Sequence, residues 1–171
     1  LNYCRSGILA RTGAQRAAFD KESFCEFLER FTCGLNDSWT DSPVPGREEI
    51  IAETKAFFES VPVEYGLCRP KAWQQPKPMN FHRLYSSMGV QGYIGPFFDE
   101  SHINPDLLEK EYPSVYAHEY SHLLGVSSEA EANWWAFQAC TRSKYGAVRY
   151  SAYLSMLQHI RANAARILSE E

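Results

Sequence analysis

The chain has 171 residues, of which 44% are hydrophobic and 22% are charged, and its formal net charge is −4. This length and composition are typical of one globular domain with its own core, so residues 1–171 are interpreted as a single domain. The negative charge argues against nucleic acid as a partner, because no basic surplus is available to neutralise phosphates. The sequence contains no run of 18 apolar residues, so no membrane-spanning helix is predicted within residues 1–171.

Two helices are predicted in the first third of the chain, after a short helical or irregular lead-in over residues 1–20. Asp20 can cap the first helix, and the apolar residues that follow it recur at helical spacing. These residues are Phe24, Phe27, Leu28, Phe31 and Leu35. The second helix runs from about Arg47 to Ser60, with acidic residues in its first turn and an apolar face. Both helices are expected to pack against the core.

The five cysteines do not form a pattern that indicates a metal cluster or a complete disulfide framework. Their number is odd and no C-x-x-C motif is present. Cys25 and Cys33, eight residues apart on the first predicted helix, are too distant to form a bridge with each other. We interpret them as small buried residues. One or two disulfides are the alternative if the domain lies outside the cytoplasm.

Two short strands are predicted, from Met79 to Ser86 and from Val90 to Phe98, and they would form a β-hairpin. Gly92, Gly95 and Pro96 interrupt the second strand, which favours an edge strand or a bulge. An edge strand beside a cleft can bind an extended peptide through its unpaired backbone groups. The alternative is a hairpin that only covers the core. Together with the helices, this hairpin predicts a mostly helical α+β fold.

A helix predicted from about Pro113 to Gly125 carries an H-E-x-x-H motif at His118, Glu119 and His122. Residues four apart lie on one face of a helix, so both imidazoles can reach one ion. Two histidine nitrogens, a third protein ligand and an open position for water are the ligand set of a catalytic Zn²⁺. Glu119 could then accept the proton of that water. The alternative is a helical histidine pair that binds no metal.

The next predicted helix, from about Glu129 to Ser143, offers two candidates for the third ligand. Ser128 and Glu131 have the spacing of a capping box, in which the Glu131 side chain bonds the Ser128 amide. Glu129 would then be freer to face the metal, with Glu131 as the alternative ligand. Asn133 lies four residues after Glu129 and could hydrogen-bond one of the ligands. Either glutamate could instead be a solvated acid that stabilises the helix start.

Zinc peptidases, one class of enzyme that uses such a ligand set, often need a donor to the oxyanion of the tetrahedral intermediate, and a tyrosine hydroxyl can serve. Tyr150 and Tyr153, on a last helix predicted over residues 147–168, and Tyr93, on the second strand, are the candidates. Packing is the alternative interpretation of each. His102 is a further candidate, as a ligand or as a donor, and an ordinary loop histidine is its alternative.

The stretch from His118 to Cys140 resembles the predicted membrane-anchored zinc peptidases of domain-of-unknown-function family 3810. Members carry an H-E-x-x-H-x-x-G block, then an E-x-E-A-N block with an aromatic residue and a terminal Ala-Cys, as this chain does. The likeness covers most of the chain from Pro76 to Leu157. More distantly, Glu129 and Asn133 are similar to the E-x-x-x-D of the glutamate-zincin peptidases, in which the glutamate binds zinc. Here Asn133 replaces the aspartate.

The resemblance implies a zincin-like core, with an active-site helix, a following glutamate helix and a short β-hairpin. It implies a zinc peptidase acting on peptide or protein substrates, with zinc on His118, His122 and Glu129 and with Glu119 as general base. It also implies membrane anchoring through segments outside this chain, at the cell membrane, with this domain on the extracytoplasmic side. The alternative is a non-catalytic zinc domain that binds a peptide or an envelope protein. Glu119 argues against it, because a structural zinc site needs no base.

Overall fold

The computed structural model of the chain describes residues 6–15, 20–95 and 100–168. Its elements are the helices α1 to α7, one 3-10 helix and the strands β1 to β3. In chain order these are α1 (Ile8–Thr12), α2 (Lys21–Ser38), α3 (Arg47–Ser60), the 3-10 helix (Val63–Tyr65), β1 (Lys77–Pro78), α4 (His82–Ser87), β2 (Gly92–Gly95), β3 (Glu100–Ile103), α5 (Tyr112–Leu123), α6 (Glu129–Thr141) and α7 (Gly146–Leu168). The fold is therefore α+β and mostly helical, as predicted. None of the described helices is long and apolar enough to cross a membrane.

The long helices agree closely with the sequence prediction. Asp20 caps α2 as expected, because its Oδ1 accepts a hydrogen bond of 2.8 Å from the Ser23 amide. The helix α3 has the predicted bounds. The bounds of α5, α6 and α7 each lie within two residues of the predicted ones.

The helix α5 is the centre of the fold, since ten of its 12 residues are buried. A helix that is buried on nearly all sides lies in the core rather than at the surface. Helices α3, α6 and α7 and the strands β2 and β3 pack around it. At the crossing with α7, the Ser114 amide donates to Ser151 Oγ at 3.1 Å. This packing gives any site on α5 a rigid support.

The three strands form a small sheet in the order β1-β3-β2. β2 is antiparallel to β3, with Gly92 opposite Ile103, whereas β1 is parallel to β3. The prediction that the strand after Val90 lies at an edge is confirmed for β2. Residues 96–98 of that predicted strand lie outside the described residues.

The predicted strand from Met79 to Ser86 is wrong, and so is the hairpin built on it. The chain turns at Phe81, which adopts a left-handed φ of 57°, and α4 begins at the next residue. Phe81, Leu84 and Tyr85 have the i, i+3, i+4 spacing of a helix, and the amides of Leu84 and Tyr85 both donate to the Phe81 carbonyl. The antiparallel partner of β2 is instead β3, where no strand was predicted.

Cys25 and Cys33 are exposed, so the prediction that they are buried is also wrong. The helix α2 buries the face that carries Phe24 and Phe31. Cys25 follows Phe24 by one residue and Cys33 follows Phe31 by two, which turns both thiols away from that face at 100° per residue. Cys140 is buried and Cys68 is exposed, and Cys4 lies outside the described ranges.

Candidate metal centre

His118 and His122 lie one turn apart on α5 and point their Nε2 atoms at each other. The two nitrogens are 3.1 Å apart, and the ring planes are inclined at 79°. The side chain of His122 is 4% exposed and that of His118 is 17% exposed. The motif is thus a pair of convergent imidazoles at the edge of the core.

Glu129, the first residue of α6, brings a carboxylate to this pair. Its Oε2 lies 3.1 Å from His118 Nε2, and its Oε1 lies 3.5 Å from His122 Nε2. One ligand atom from each of the three side chains lies within 4.8 Å of the others. The Glu129 side chain is 75% exposed, so the cluster opens toward solvent on this side.

The outer nitrogens of both histidines are held by acceptors. His122 Nδ1 lies 2.8 Å from the carbonyl oxygen of Val126, and His118 Nδ1 lies 2.9 Å from Asn133 Oδ1. A carbonyl oxygen only accepts, so each Nδ1 carries the proton and donates it. In a neutral imidazole the lone pair is then on Nε2. Burial and the nearby His122 lower the pKa of His118, which favours the neutral form.

This donor set fits a zinc ion. Two nitrogen lone pairs and a carboxylate that face one another at these distances repel unless a cation or a proton lies between them. Ligand atoms about 2.0–2.1 Å from a tetrahedral zinc lie about 3.3 Å from one another. Here the two nitrogens are 3.1 Å apart, and they lie 3.1 and 3.5 Å from different oxygens of the Glu129 carboxylate. The held tautomers add the outer hydrogen bonds that are usual for metal-bound histidines.

Glu119 lies beside this cluster as a buried carboxylate, 4% exposed. The Ser101 hydroxyl of β3 donates a hydrogen bond to Glu119 Oε2. Burial raises the pKa of Glu119, although the bond from Ser101 opposes that shift. β2 passes so close that a Cβ added at Gly92 would lie 2.6 Å from Glu119 Cδ. Glycine is therefore needed at this position if the carboxylate is to keep its place.

A cavity of about 670 Å³ opens over the cluster. Its walls are β2 with the turn before it, the cluster face of α5, the start of α6 and one side of α7. Glu119 and the three candidate ligands all line it. A ligand in this cavity would contact the candidate metal site and the edge of the sheet together.

A family model described as protein of unknown function (DUF3810) matches residues 1–171. The chain belongs to the DUF3810 family. No curated protein and no solved structure matches it. The family resemblance inferred from the His118 to Cys140 stretch is therefore confirmed, whereas the more distant likeness to the glutamate-zincins stays a prediction.

Other sequence candidates lie elsewhere in the DUF3810 domain. Tyr153 packs on the rings of Phe31 and Phe137, with centroids 5.2 Å away in each case. Tyr150 packs on Trp39 at 5.1 Å. Neither is among the described residues that line the cavity, so neither enters the mechanism proposed below.

Tyr93 and His102 lie side by side on one face of the small sheet. They are paired across β2 and β3, and their rings stack with the centroids 4.8 Å apart. In β3, side chains alternate between the two faces, and Ser101 on the other face is the one that bonds Glu119. The His102 and Tyr93 side chains are thus directed away from Glu119, although Tyr93 is among the residues that line the cavity.

The two glutamates of α6 have separate partners. Ser128 caps α6 as predicted, because its Oγ accepts from the Glu131 amide at 3.4 Å. The Glu131 carboxylate, however, does not complete a capping box. It accepts hydrogen bonds from the Ile8 amide, from Arg11 and from the Trp135 indole. Glu131 is thereby engaged away from the histidine pair.

Sequence reasoning missed Ser101 and the Val126 carbonyl, which orient Glu119 and His122. Ser101 lies in a strand of only four residues, whose alternation of buried and partly exposed positions is seen in the structure. A stretch this short gives no period-two sequence pattern that identifies a strand. The Val126 contact involves a backbone atom, so no residue type at that position could have signalled it.

Proposed function

We propose that this DUF3810 domain is a zinc-dependent peptidase with a zincin-like core. The observation that carries the proposal is the cluster of His118, His122 and Glu129, in which one ligand atom from each side chain lies within 4.8 Å of the others. This cluster leaves a side open to a cavity that also contains the buried carboxylate of Glu119. Three protein ligands and one open position are typical of a catalytic zinc rather than a structural one.

Zinc held by these three side chains would supply a Lewis acid that polarises the scissile carbonyl and lowers the pKa of bound water toward about 7. Glu119 accepts the proton of the attacking water and passes it to the leaving amine. The hydrogen bond from Ser101 keeps its carboxylate oriented for both transfers. The raised pKa that burial gives Glu119 favours its role as a proton acceptor near neutral pH.

The edge of the sheet supports a peptide as the substrate. β2 pairs with β3 on one side only, and its residues Gly92, Tyr93 and Ile94 line the cavity. An extended peptide could add to this free edge as a further strand and be held by backbone hydrogen bonds. The cell-membrane location and the extracytoplasmic side stay predictions from the family resemblance.

Glu119→Gln tests the proposal most directly, together with elemental analysis of bound metal. We expect the variant to keep about one zinc per chain and to lose peptide hydrolysis, because the amide cannot accept the water proton. Hydrolysis is followed by mass spectrometry of a mixed peptide library. Glu64→Gln removes a carboxylate from the surface 3-10 helix and serves as the matched control.

Full hydrolytic activity of Glu119→Gln would reject the mechanism. Zinc bound to the wild-type domain without hydrolysis of any library peptide, but with retention of some of them, would favour the non-catalytic peptide-binding domain. A wild-type domain that binds no zinc would remove the basis of both functions.

A further inference from the structure

We propose that Arg11 and Glu131 are positioning residues for the metal site. They clamp the short helix α1 onto the first turn of α6 and thereby hold Glu129 against the two histidines. This inference rests on the proposed zinc site. It adds that the affinity of the site for zinc depends on a segment more than 100 residues away in sequence.

Both oxygens of the Glu131 carboxylate accept hydrogen bonds. This carboxylate is 4% exposed and accepts three hydrogen bonds. The Ile8 amide donates to Oε2 at 3.0 Å, the Trp135 indole donates to Oε1 at 3.2 Å, and an Arg11 Nη2 group also donates to Oε1. A buried carboxylate with this set of donors fixes the backbone that carries it.

Arg11 joins three parts of the chain at this point. Its side chain is 13% exposed. Besides the ion pair with Glu131, its Nε donates to the carbonyl oxygen of Tyr65 at 2.9 Å, and Nη1 donates to the Ser6 carbonyl. The guanidinium therefore ties α1 and the 3-10 helix to α6. Planar, multiple donation of this kind is a property of arginine that lysine cannot reproduce.

Glu129 needs such support because it lies at the surface. Its side chain is 75% exposed, and it reaches the histidines from the first position of α6. The cap at this end is weak, since Ser128 Oγ and the Glu131 amide are 3.4 Å apart. Glu131 follows Glu129 by two residues in the same turn. A clamp on Glu131 therefore limits the motion of the backbone that carries Glu129.

The clamp makes a prediction that an ordinary stabilising ion pair does not. If docking of α1 raises the affinity for zinc, then zinc must strengthen the docking of α1 by the same factor. A merely structural ion pair would change the stability of the metal-free domain and leave the zinc affinity of the folded domain unchanged. The two roles are therefore separable by measuring metal binding.

The variants Arg11→Met and Arg11→Lys test the clamp, with zinc affinity measured by competition against a chromophoric chelator. We expect Arg11→Met to bind zinc roughly tenfold more weakly, the size of effect that outer partners of metal ligands usually have. Arg11→Lys should fall between this variant and the wild type, because it keeps the charge pair and loses the contact with the Tyr65 carbonyl.

Arg69→Met is the matched control. Arg69 also donates to main-chain carbonyls, those of Glu59 and Val61 at 2.7 and 3.0 Å, but these lie at the end of α3 rather than on α6. The zinc affinity of Arg69→Met should stay within roughly twofold of the wild type, because Arg69 shares no partner with the residues of the zinc site.

Hydrogen exchange of the wild-type domain gives a second readout that needs no variant. Zinc should slow amide exchange over residues 7–12, and at the Ile8 amide above all, because that amide donates to Glu131. Exchange over these residues that is the same with and without bound zinc would overturn the inference. So would an Arg11→Met domain that is folded and binds zinc as tightly as the wild type. If the wild type bound no zinc, the proposed function would fail first and the inference with it.

Discussion

The two opposite faces of α5 bury polar groups in contrasting ways. On one face, His118 and His122 point at the cavity, and the outer nitrogen of each has an acceptor. On the other face, Tyr112, Tyr116 and Tyr120 form a stacked row with ring centroids 5.8 and 5.9 Å apart. The hydroxyls of Tyr116 and Tyr120 are buried and have no hydrogen-bond partner among the described residues.

This difference separates the part of α5 that carries the proposed metal site from the part that packs the core. The histidine lone pairs converge, so a cation or a proton between them would stabilise that face. The tyrosine row contributes apolar ring surface whether or not a metal is present. Burial raises the pKa of Tyr120 to about 12 and that of Tyr116 still further, so both stay uncharged at neutral pH. Changes on one face should therefore leave the other intact.

The largest effect is expected from His122→Ala, which removes one of the two imidazoles. Zinc affinity should fall by more than roughly 100-fold. Loss of a residue that only hydrogen-bonds a metal ligand costs about 10- to 100-fold in affinity, and loss of a ligand itself should cost more. Hydrolysis should be lost as well, while the tyrosine face keeps the domain folded. Elemental analysis, an activity assay and circular dichroism measure the three properties.

His82→Ala is the control for this change, since His82 pairs with Asp106 at the surface, with 2.8 Å between Nδ1 and Oδ2. It should keep zinc and activity. Stoichiometric zinc in the His122→Ala variant would show that the imidazole is no ligand.

Gly92→Ala should give the next largest effect, on turnover rather than on metal. The new Cβ would lie 2.6 Å from Glu119 Cδ, so the strand or the carboxylate must move. A shift of about 1 Å in a catalytic group can cost roughly 100-fold in rate. Zinc content should be unchanged, because neither histidine is touched.

Gly95→Ala, at the other end of β2, is the control. Its new Cβ would lie 3.4 Å from the Glu100 carbonyl oxygen, which is an ordinary contact distance. Its turnover should stay close to that of the wild type. An equal loss of activity in both alanine variants would show that a general disturbance of β2, and not the contact between position 92 and Glu119, lowers turnover.

A smaller effect is expected from Asn133→Ala, which removes the acceptor 2.9 Å from His118 Nδ1. Zinc affinity should drop roughly tenfold, because the imidazole loses its fixed tautomer and orientation. Asn133→Asp should bind zinc more tightly than Asn133→Ala, since a carboxylate accepts the same bond more strongly. Gln138→Ala on the same helix is the control, because Gln138 contacts Arg142 and not the cluster. Equal zinc affinities for all four proteins would show that Asn133 has no influence on the site.

The site features that the sequence predicted are those that depend on local spacing. His118 and His122 are one helical turn apart, and Asn133 is one turn from Glu129, so the helix period alone places each pair on one face. The sheet depends instead on pairing between distant segments, such as Lys77 with His102. Strands of two to four residues are too short for a pattern to identify them reliably.

The tyrosine candidates on α7 illustrate the same limit. Successive residues on a helix differ by 100° in direction, so Tyr153 points about 200° away from Ser151. Ser151 faces the cavity, together with Leu154, Ser155 and Gln158, whereas Tyr153 faces α2. Helical periodicity predicts that part of α7 is buried without indicating which neighbour covers each side. Only the packing of α2 against α7 decides that.

The smallest effect, and the one that tests the tyrosine face, is expected from Tyr116→Phe. The ring and its stacking are kept, and only a buried hydroxyl with no described partner is removed. An unpaired buried hydroxyl costs about 1–3 kcal/mol, but its removal leaves a small gap in the packing that offsets part of this gain. Stability should therefore stay unchanged or rise by up to about 1 kcal/mol. For a domain of this size that is a rise in Tm of about 2–4 °C. Zinc affinity should be that of the wild type, since the hydroxyl lies on the far face of α5. A Tm lowered by several degrees would mean that the Tyr116 hydroxyl has a hydrogen-bond partner. A weaker affinity for zinc would mean that the two faces of α5 are coupled.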